Sequence, residues 1–297
     1  MPRLAWTMRG IILAGGSGSR LYPLTLTVSK QLQPVYDKPM VYYPLTVLIE
    51  AGIRELCLVS TPADLPLFRN LLGDGSRFGV QIDYREQPRP EGIAQAFRIA
   101  DSFIGTSPVA LILGDNLFLE STPFQQAVRE FQEGATVFGH SVPDPERYGV
   151  VELDASGRPV SLEEKPLSPR SALAVPGMYL YESSVVSVAW QLLPGERGEL
   201  EITDVNREFL RQGRLRVFRL PSDSVCLDAG TSTSLHQASV AVRDAEGRRG
   251  VRIGCPEAAA FGQGWLSRDT LAGLVGEMPS CEYRGHLERL LLAASSQ

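Results

Sequence analysis

Two permanent cations flank a glycine-rich turn near the start of the chain, in residues 10–30, GIILAGGSGSRLYPLTLTVSK. Gly15, Gly16 and Gly18, with Ser17 and Ser19 between them, allow positive φ and let main-chain N–H groups approach a ligand with no Cβ in the way. Such a turn suits phosphate. Arg20 at its exit and Lys30 ten positions later could meet a triphosphate at several oxygens. Two familiar phosphate motifs do not fit. A P-loop closes on Gly-Lys-Ser/Thr, which Gly18-Ser19-Arg20 does not supply, and a dinucleotide fingerprint needs a third glycine where Leu21 stands before Pro23. Hydride transfer is disfavoured accordingly. Taken alone, the glycines are equally explained by a structural strand-to-helix turn with two solvated cations.

The next candidate is Asp115, delivered off the end of the apolar run Val109-Ala110-Leu111-Ile112-Leu113. A carboxylate in that place is a metal ligand or a helix cap, and Thr122-Pro123 offers a better helix start nearby. Asp228, in Cys226-Leu227-Asp228-Ala229-Gly230-Thr231, is the natural second carboxylate. Two carboxylates plus substrate phosphates are the usual way of holding Mg²⁺. In Gln87-Pro88-Arg89-Pro90-Glu91-Gly92, two prolines keep a loop extended and Gly92 is expected to open the next helix. The Gln87 amide could then read a pyrimidine edge, although a solvated turn glutamine is the simpler account. Glu164 and Lys165 would alternate faces within a strand, yet both could reach a cleft from a strand end before Pro166. An exposed ion-pair stretch explains them too.

These groups need a scaffold. Residues 11–14, 56–59, 82–84 and 109–113 read as buried strands. Between them, Asp37-Lys38-Pro39 looks like a helix start for residues 40–50, with Pro44 predicting a kink or a late start. Asp64 looks like an N-cap, and residues 92–100 look helical. The alternation predicts an α/β fold with a doubly wound, mostly parallel sheet, whose ligands sit at the carboxyl ends of the strands. Residues 136–140, 149–153, 158–164 and 177–181 predict further, partly antiparallel strands, and Thr203 is placed to cap a helix. From Thr231 the pattern is helical, and residues 257–261 and 271–292 predict short helices packing on the domain or on another subunit.

Composition narrows the classes. With 297 residues, 43% hydrophobic and 21% charged, the chain can bury a substantial core. A net charge of −5 without basic blocks argues against a nucleic-acid surface, though not against a nucleotide in a locally cationic cleft. No segment approaches the apolar length of a membrane span. Cys57, Cys226, Cys255 and Cys281 are scattered without a C-x-x-C pair, so reduced thiols and a cytoplasmic setting are expected. Residues 1–7 look like an extension before the domain. His140, His236 and His286 read as structural, and the absence of hexapeptide repeats excludes a β-helix tail.

The longer pattern Ala14-Gly15-Gly16-x-Gly18-x-Arg20-Leu21-x-Pro23, then Lys30 and Pro34, resembles the signature of sugar nucleotidyltransferases. The run SKQLQPVYDKPMVYYPL is similar to the glucose-1-phosphate thymidylyltransferase branch, and the likeness extends from about Met8 to about Glu257. The resemblance implies a Rossmann-like nucleotidyltransferase domain over residues 8–240, with a nucleotide-binding half (8–130), a β-rich sugar-binding half (131–240) forming a lid or sugar-facing region, and a C-terminal helical region (241–297). It implies dTTP and glucose 1-phosphate as substrates, Mg²⁺ as cofactor and a homotetramer. Nucleotide contacts are implied for Leu13, Gly15, Gly16, Gly18, Ser19, Gln31, Gln87, Pro90 and Gly92. Tyr148, Gly149, Glu164, Lys165, Val175, Arg197 and Glu201 are implied to hold the sugar phosphate. Arg20, Lys30, Asp115 and Lys165 are the implied catalytic residues, and Asp115 and Asp228 the metal pair. UTP use, or a non-catalytic nucleotide-sugar sensor, are the alternatives. One departure stands out: the family usually has Trp before the Leu-Asp pair and Thr after it, where this chain has Cys226 and Ala229. The volume so released predicts a broader sugar range.

Overall fold

The computed structural model describes residues 7–16, 18–195 and 197–294; Ser17 of the glycine turn and residues 1–6 of the N-terminal extension lie outside them. The first apolar run is β1 (Arg9–Leu13), buried at four of its five positions. Short 3₁₀ turns then lead to a hairpin of β2 (Pro34–Val35) and β3 (Lys38–Pro39), and only afterwards to α1 (Tyr42–Glu50). The helix start expected at Asp37-Lys38-Pro39 is therefore corrected. Pro39 pairs with Pro34 in the hairpin, and Pro44 falls in the first turn of α1, where its missing N–H removes no helical bond.

The alternation continues through β4 (Glu55–Ser60), α2 (Leu65–Leu72), β5 (Gln81–Glu86), α3 (Gln95–Ile99), α4 (Asp101–Ile104) and β6 (Val109–Leu113). The helix after β5 begins at Gln95 and not at Gly92, whose φ of 110° is incompatible with a helix. Next come β7 (Asn116–Phe118), α5 (Thr122–Glu130), β8 (Ala135–Ser141), β9 (Gly149–Leu153), β10 (Pro159–Glu164), β11 (Leu173–Val175) and β12 (Met178–Tyr181). The chain closes with α6 (Val185–Gln191), α7 (Ile202–Arg211), β13 (Leu215–Arg219), β14 (Cys226–Asp228), α8 (Ser232–Arg249), α9 (Pro256–Gly262), α10 (Arg268–Glu277) and α11 (Glu282–Ala293).

Ten of these strands form one sheet among the described residues, in the order β10-β9-β11-β8-β12-β6-β1-β4-β5, with β13 also on β8. The run β6-β1-β4-β5 is parallel throughout, as an α/β fold requires. β12 is antiparallel to both β6 and β8, and so joins the two halves by main-chain hydrogen bonds. The second half therefore extends the sheet edge to edge and is not a lid laid over it. Alternating side chains feed two cores. Ile12, Leu56, Leu58 and Ile112 face α1 and α2, whereas Ile11, Leu13, Cys57 and Leu111 face the layer of α3, α6 and α7. The first core also takes in Ala260, Leu271, Val275 and Leu287; α9 packs on α1, α10 on α9 and α11 on α10. A third cluster seats Leu235, Ala238 and Val242 of α8 against Leu21, Val35 and Met40. There Lys38, 2% exposed, is held by Asp37 at 2.6 Å and Glu246 at 3.0 Å, which offsets the penalty for burying its charge.

Candidate active site

The glycine turn leaves the end of β1, Gln87 follows β5 and Asp115 follows β6, so the first half delivers its polar groups to the carboxyl edge of the parallel strands. Together with residues of the second half they enclose a cleft of about 560 Å³, within the range of small-molecule sites. From the first half it is lined by Leu13, Gly15, Gly16, Arg20, Lys30 and Gln31, with Gln87, Pro90, Gly92 and Asp115. The opposite wall brings Tyr148, Gly149, Glu164, Lys165, Val175, Arg197, Glu201 and Asp228. Gly18 and Ser19 are not on these walls. Gly18, at φ 58°, starts the 3₁₀ turn Ser19–Leu21 and packs against Thr25, which gives it a turn-shaping position.

In the first half, Gln87 is 2% exposed and its Nε2 donates to Gln95 Oε1 at 2.7 Å. Gln95 in turn accepts from the Glu91 N–H at 3.2 Å and donates to Glu91 Oε2 at 2.8 Å, fixing the loop from both ends. Gln87 Oε1 rests on the glycine turn so closely that a Cβ at Gly15 would lie 2.1 Å from it. Gln31 Nε2 donates to the Gly15 carbonyl at 3.2 Å, which ties the turn from the other side. Gly92 is pressed against Leu200, where a Cβ would come within 2.5 Å of its main chain. Leu200 N donates to Glu91 O at 2.7 Å and Ala94 N to Leu200 O at 3.1 Å, so two main-chain bonds bridge the halves there.

The carboxylates meet through a two-stranded ribbon. β14 pairs with β7 so that Asp228 stands opposite Asn116, and the Ala229 N–H donates to the Asp115 carbonyl at 3.1 Å. The Lys30 ammonium is in direct contact with Asp115 Oδ2, and Asn116 Nδ2 donates to Oδ1 at 3.3 Å. Burial pushes the Asp115 carboxyl up, but the charge and hydrogen bond of Lys30, with hydrogen bonds from the main chain and Asn116, together outweigh it and leave Asp115 below the ordinary carboxylate value. Asp228 goes the other way. Burial raises it, the negative charge of Asp115 adds to the rise, and Arg20 and Lys30 only partly oppose it. Arg20 Nη2 and Asp228 Oδ1 converge on Gly230, where a Cβ would lie 2.8 and 2.9 Å from them. Among the described residues no cluster of three or more His, Cys, Asp or Glu could cage a metal alone. Two adjacent carboxylates beside a cationic cleft instead fit a hard divalent ion that keeps some water and takes its remaining ligands from phosphate.

In the second half, Glu164 Oε2 accepts from Thr203 Oγ1 at 2.5 Å, and Oε1 lies 3.4 Å from Arg197 and 3.8 Å from Lys165. Lys165 has φ 42°, and this left-handed break at the end of β10 cancels the alternation that would send it to the far face. Arg197 grips Glu201 through two bonds of 2.9 and 2.7 Å. Thr203 does not cap α7. Glu201 occupies that position, and the Thr203 hydroxyl is spent on Glu164 across the strand, a role with no local sequence signal. Arg147 is a further cleft cation that sequence reasoning passed over; it adjoins Tyr148 in chain order and pairs with Asp144 at 2.7 Å. Beside Asp228 and Tyr148, a second cavity of about 20 Å³ is lined by Cys226 and His140; the buried His140 Nδ1 has no hydrogen-bond partner among the described residues, and the cavity has room for one water.

Residues 9–245 match the family model described as nucleotidyl transferase. The chain is 51% identical over 286 residues to a glucose-1-phosphate thymidylyltransferase of Mycolicibacterium smegmatis, covering 96% of this chain and 99% of the relative. It is 50% identical over 287 residues to the same-named protein of Neisseria meningitidis, with 96% and 99% covered. Among solved structures, it superposes with TM-score 0.75 and 40% identity on a Bacillus anthracis chain described as a glucose-1-phosphate thymidylyltransferase in complex with sucrose, over 80% of this chain and 96% of that one. A UDP-glucose pyrophosphorylase bound to UDP-glucose, 23% identical, shares the fold at TM-score 0.71, over 80% and 99% of the two chains.

Proposed function

The chain belongs to the nucleotidyl transferase family, and from that premise we propose that it joins dTTP to α-D-glucose 1-phosphate, giving dTDP-glucose and pyrophosphate. It is an enzyme, a glucose-1-phosphate thymidylyltransferase of the kind its relatives at about half identity represent. One observation supports the reading above all: Arg20, Lys30, Lys165 and Arg197 line one cleft together with the carboxylates Asp115 and Asp228. Two polyanions that must react with each other need such an arrangement, because their mutual repulsion is the main obstacle to encounter.

The sugar phosphate oxygen attacks the α-phosphorus in line. The new O–P bond forms as the bond to the β-phosphate oxygen breaks, and pyrophosphate leaves with the electron pair. The attacking oxygen is already ionised, so no side chain has to remove a proton. Lys165 and Arg197 hold the nucleophilic phosphate, while Arg20 and Lys30 neutralise charge on the leaving side. Gln87, its amide fixed by Gln95, keeps an acceptor for the thymine N3–H. Glu164 receives sugar hydroxyls. Asp115 and Asp228 would hold Mg²⁺, which when bound neutralises phosphate charge in the cleft.

Cys226 extends the proposal to sugars other than glucose, since it lines a small cavity that adjoins the cleft beside Asp228; Ala229 is buried under α8 and adds nothing to it. The free state of Cys57, Cys226, Cys255 and Cys281 suits a cytoplasmic setting, and among the described residues no helix is long and apolar enough to cross a membrane. Assembly as a tetramer completes the reading and is measured by light scattering. The deciding assay follows pyrophosphate release with dTTP or UTP crossed against several sugar 1-phosphates, with and without Mg²⁺. The pair dTTP and glucose 1-phosphate should turn over; no product from that pair would overturn the assignment.

A further inference from the structure

The position of the Lys30 ammonium is unusual for a group whose proposed work is on the leaving phosphates. It is engaged with Asp115 Oδ2, and the two side chains are only 15% and 11% exposed. The other Asp115 oxygen is taken by Asn116, so both oxygens of this carboxylate have partners within the chain. Asp228 differs, having no ion pair within 4 Å among the described residues. A free site with two adjacent carboxylates would draw a divalent cation, and here one of the two is already satisfied by a monovalent one.

We propose that Lys30 is a placeholder: it occupies Asp115 in the free enzyme, keeps divalent cations off, and is released only when a triphosphate arrives to receive its ammonium. The proposal rests on the functional reading above for the identity of the arriving ligand. Three features support it. The side chain lines the same cleft as Gly15, Gly16 and Arg20, so a triphosphate held there shares the cleft with its ammonium. A lysine is a point charge on a flexible four-carbon stem, able to exchange one oxygen partner for another without backbone movement. While it stays on Asp115 it blocks a ligand oxygen and repels a second cation, and both effects end together when it leaves. Metal and nucleotide are thereby coupled, and each raises the affinity of the site for the other.

The test uses Mn²⁺ alone as the probe, titrated into the full-length protein without nucleotide and followed by the electron paramagnetic resonance of the free ion. Wild type should bind weakly. Lys30→Met and Lys30→Gln, the second of which keeps a donor for Asp115 and so protects the fold, should each bind at least about tenfold more tightly. Adding Asp115→Asn to Lys30→Met should abolish the gain. Micromolar Mn²⁺ binding by the wild type, or unchanged or weaker binding in variants whose melting shows them folded, overturns the proposal. The product assay on wild type is independent of this result. Product formed while the variants show unchanged Mn²⁺ affinity sinks the placeholder alone, whereas absence of product sinks the functional reading whichever way the titrations fall.

Discussion

Replacing Gly15 by Ala isolates the contact between the glycine turn and the amide proposed to read the base. The new Cβ would lie 2.1 Å from Gln87 Oε1, about 1.3 Å short of an ordinary contact at 3.4 Å. Gly15 is not in the left-handed region, so the backbone accepts alanine and the collision is the whole perturbation. Gln87 is 2% exposed and cannot swing into solvent; it has to give up the 2.7 Å bond to Gln95. Leaving a buried amide short of a partner costs about 1–3 kcal/mol, which corresponds to a loss of roughly 5- to 150-fold in kcat/KM for dTTP. The KM for glucose 1-phosphate should hardly move. Steady-state pyrophosphate release measures both, and the decisive comparison is a double-mutant cycle with Gln87→Ala. Once the obstructing amide is gone, Gly15→Ala should have little further effect. An equal loss in the two backgrounds, or a Gly15→Ala enzyme within about twofold of wild type, would refute the reasoning.

Further predictions concern the second half and the carboxylate pair. Thr203→Val keeps the shape of the side chain but removes the 2.5 Å hydrogen bond to Glu164. It should raise KM for the sugar phosphate about 5- to 10-fold and leave KM for dTTP unchanged; equal effects on both substrates would count against a positioning role. Asp228 is held above its ordinary value by burial and by Asp115, so its ionisation opposes folding. Asp228→Asn should therefore raise Tm at neutral pH without metal while abolishing turnover. The gain is complete above the raised folded value and vanishes as pH falls below the ordinary carboxylate value; a lower Tm at pH 7 would contradict the assigned shift. Cys226, beside the small cavity, predicts measurable turnover of galactose and amino-sugar 1-phosphates, and strict preference for glucose would argue against it.

Much of the scaffold was legible because it rests on continuous apolar runs. Residues 11–14, 56–59 and 109–113 become β1, β4 and β6, and their central place in a parallel sheet is what makes them apolar on both faces. Asp115 stood out for a related reason, since a carboxylate at the end of such a run needs an explanation; Asp228, which follows no such run, was read only as its natural partner, and both line the cleft. The short pieces were not legible. β2 with β3, β7 with β14, and β11 are two or three residues long, too short for any period to show; the first two make a local hairpin, and the others form because a partner distant in sequence supplies hydrogen bonds. The same blindness explains Thr203, whose hydroxyl suggested a cap but whose partner lies 39 positions earlier. Nor does a sequence reveal that Gly15 is small because Gln87, seventy-two residues on, presses against it.

The antiparallel strand β12, bonded to β6 on one edge and β8 on the other, has a consequence for motion. An enzyme that folds two lobes around its reactants can adjust their separation at every turnover. Here the separation is built into a continuous beam, its spacing set strand by strand at about 4.8 Å. Admission and release must therefore be the work of side chains and short connecting segments, and damage to β12 should misalign the reaction while each reactant is still bound.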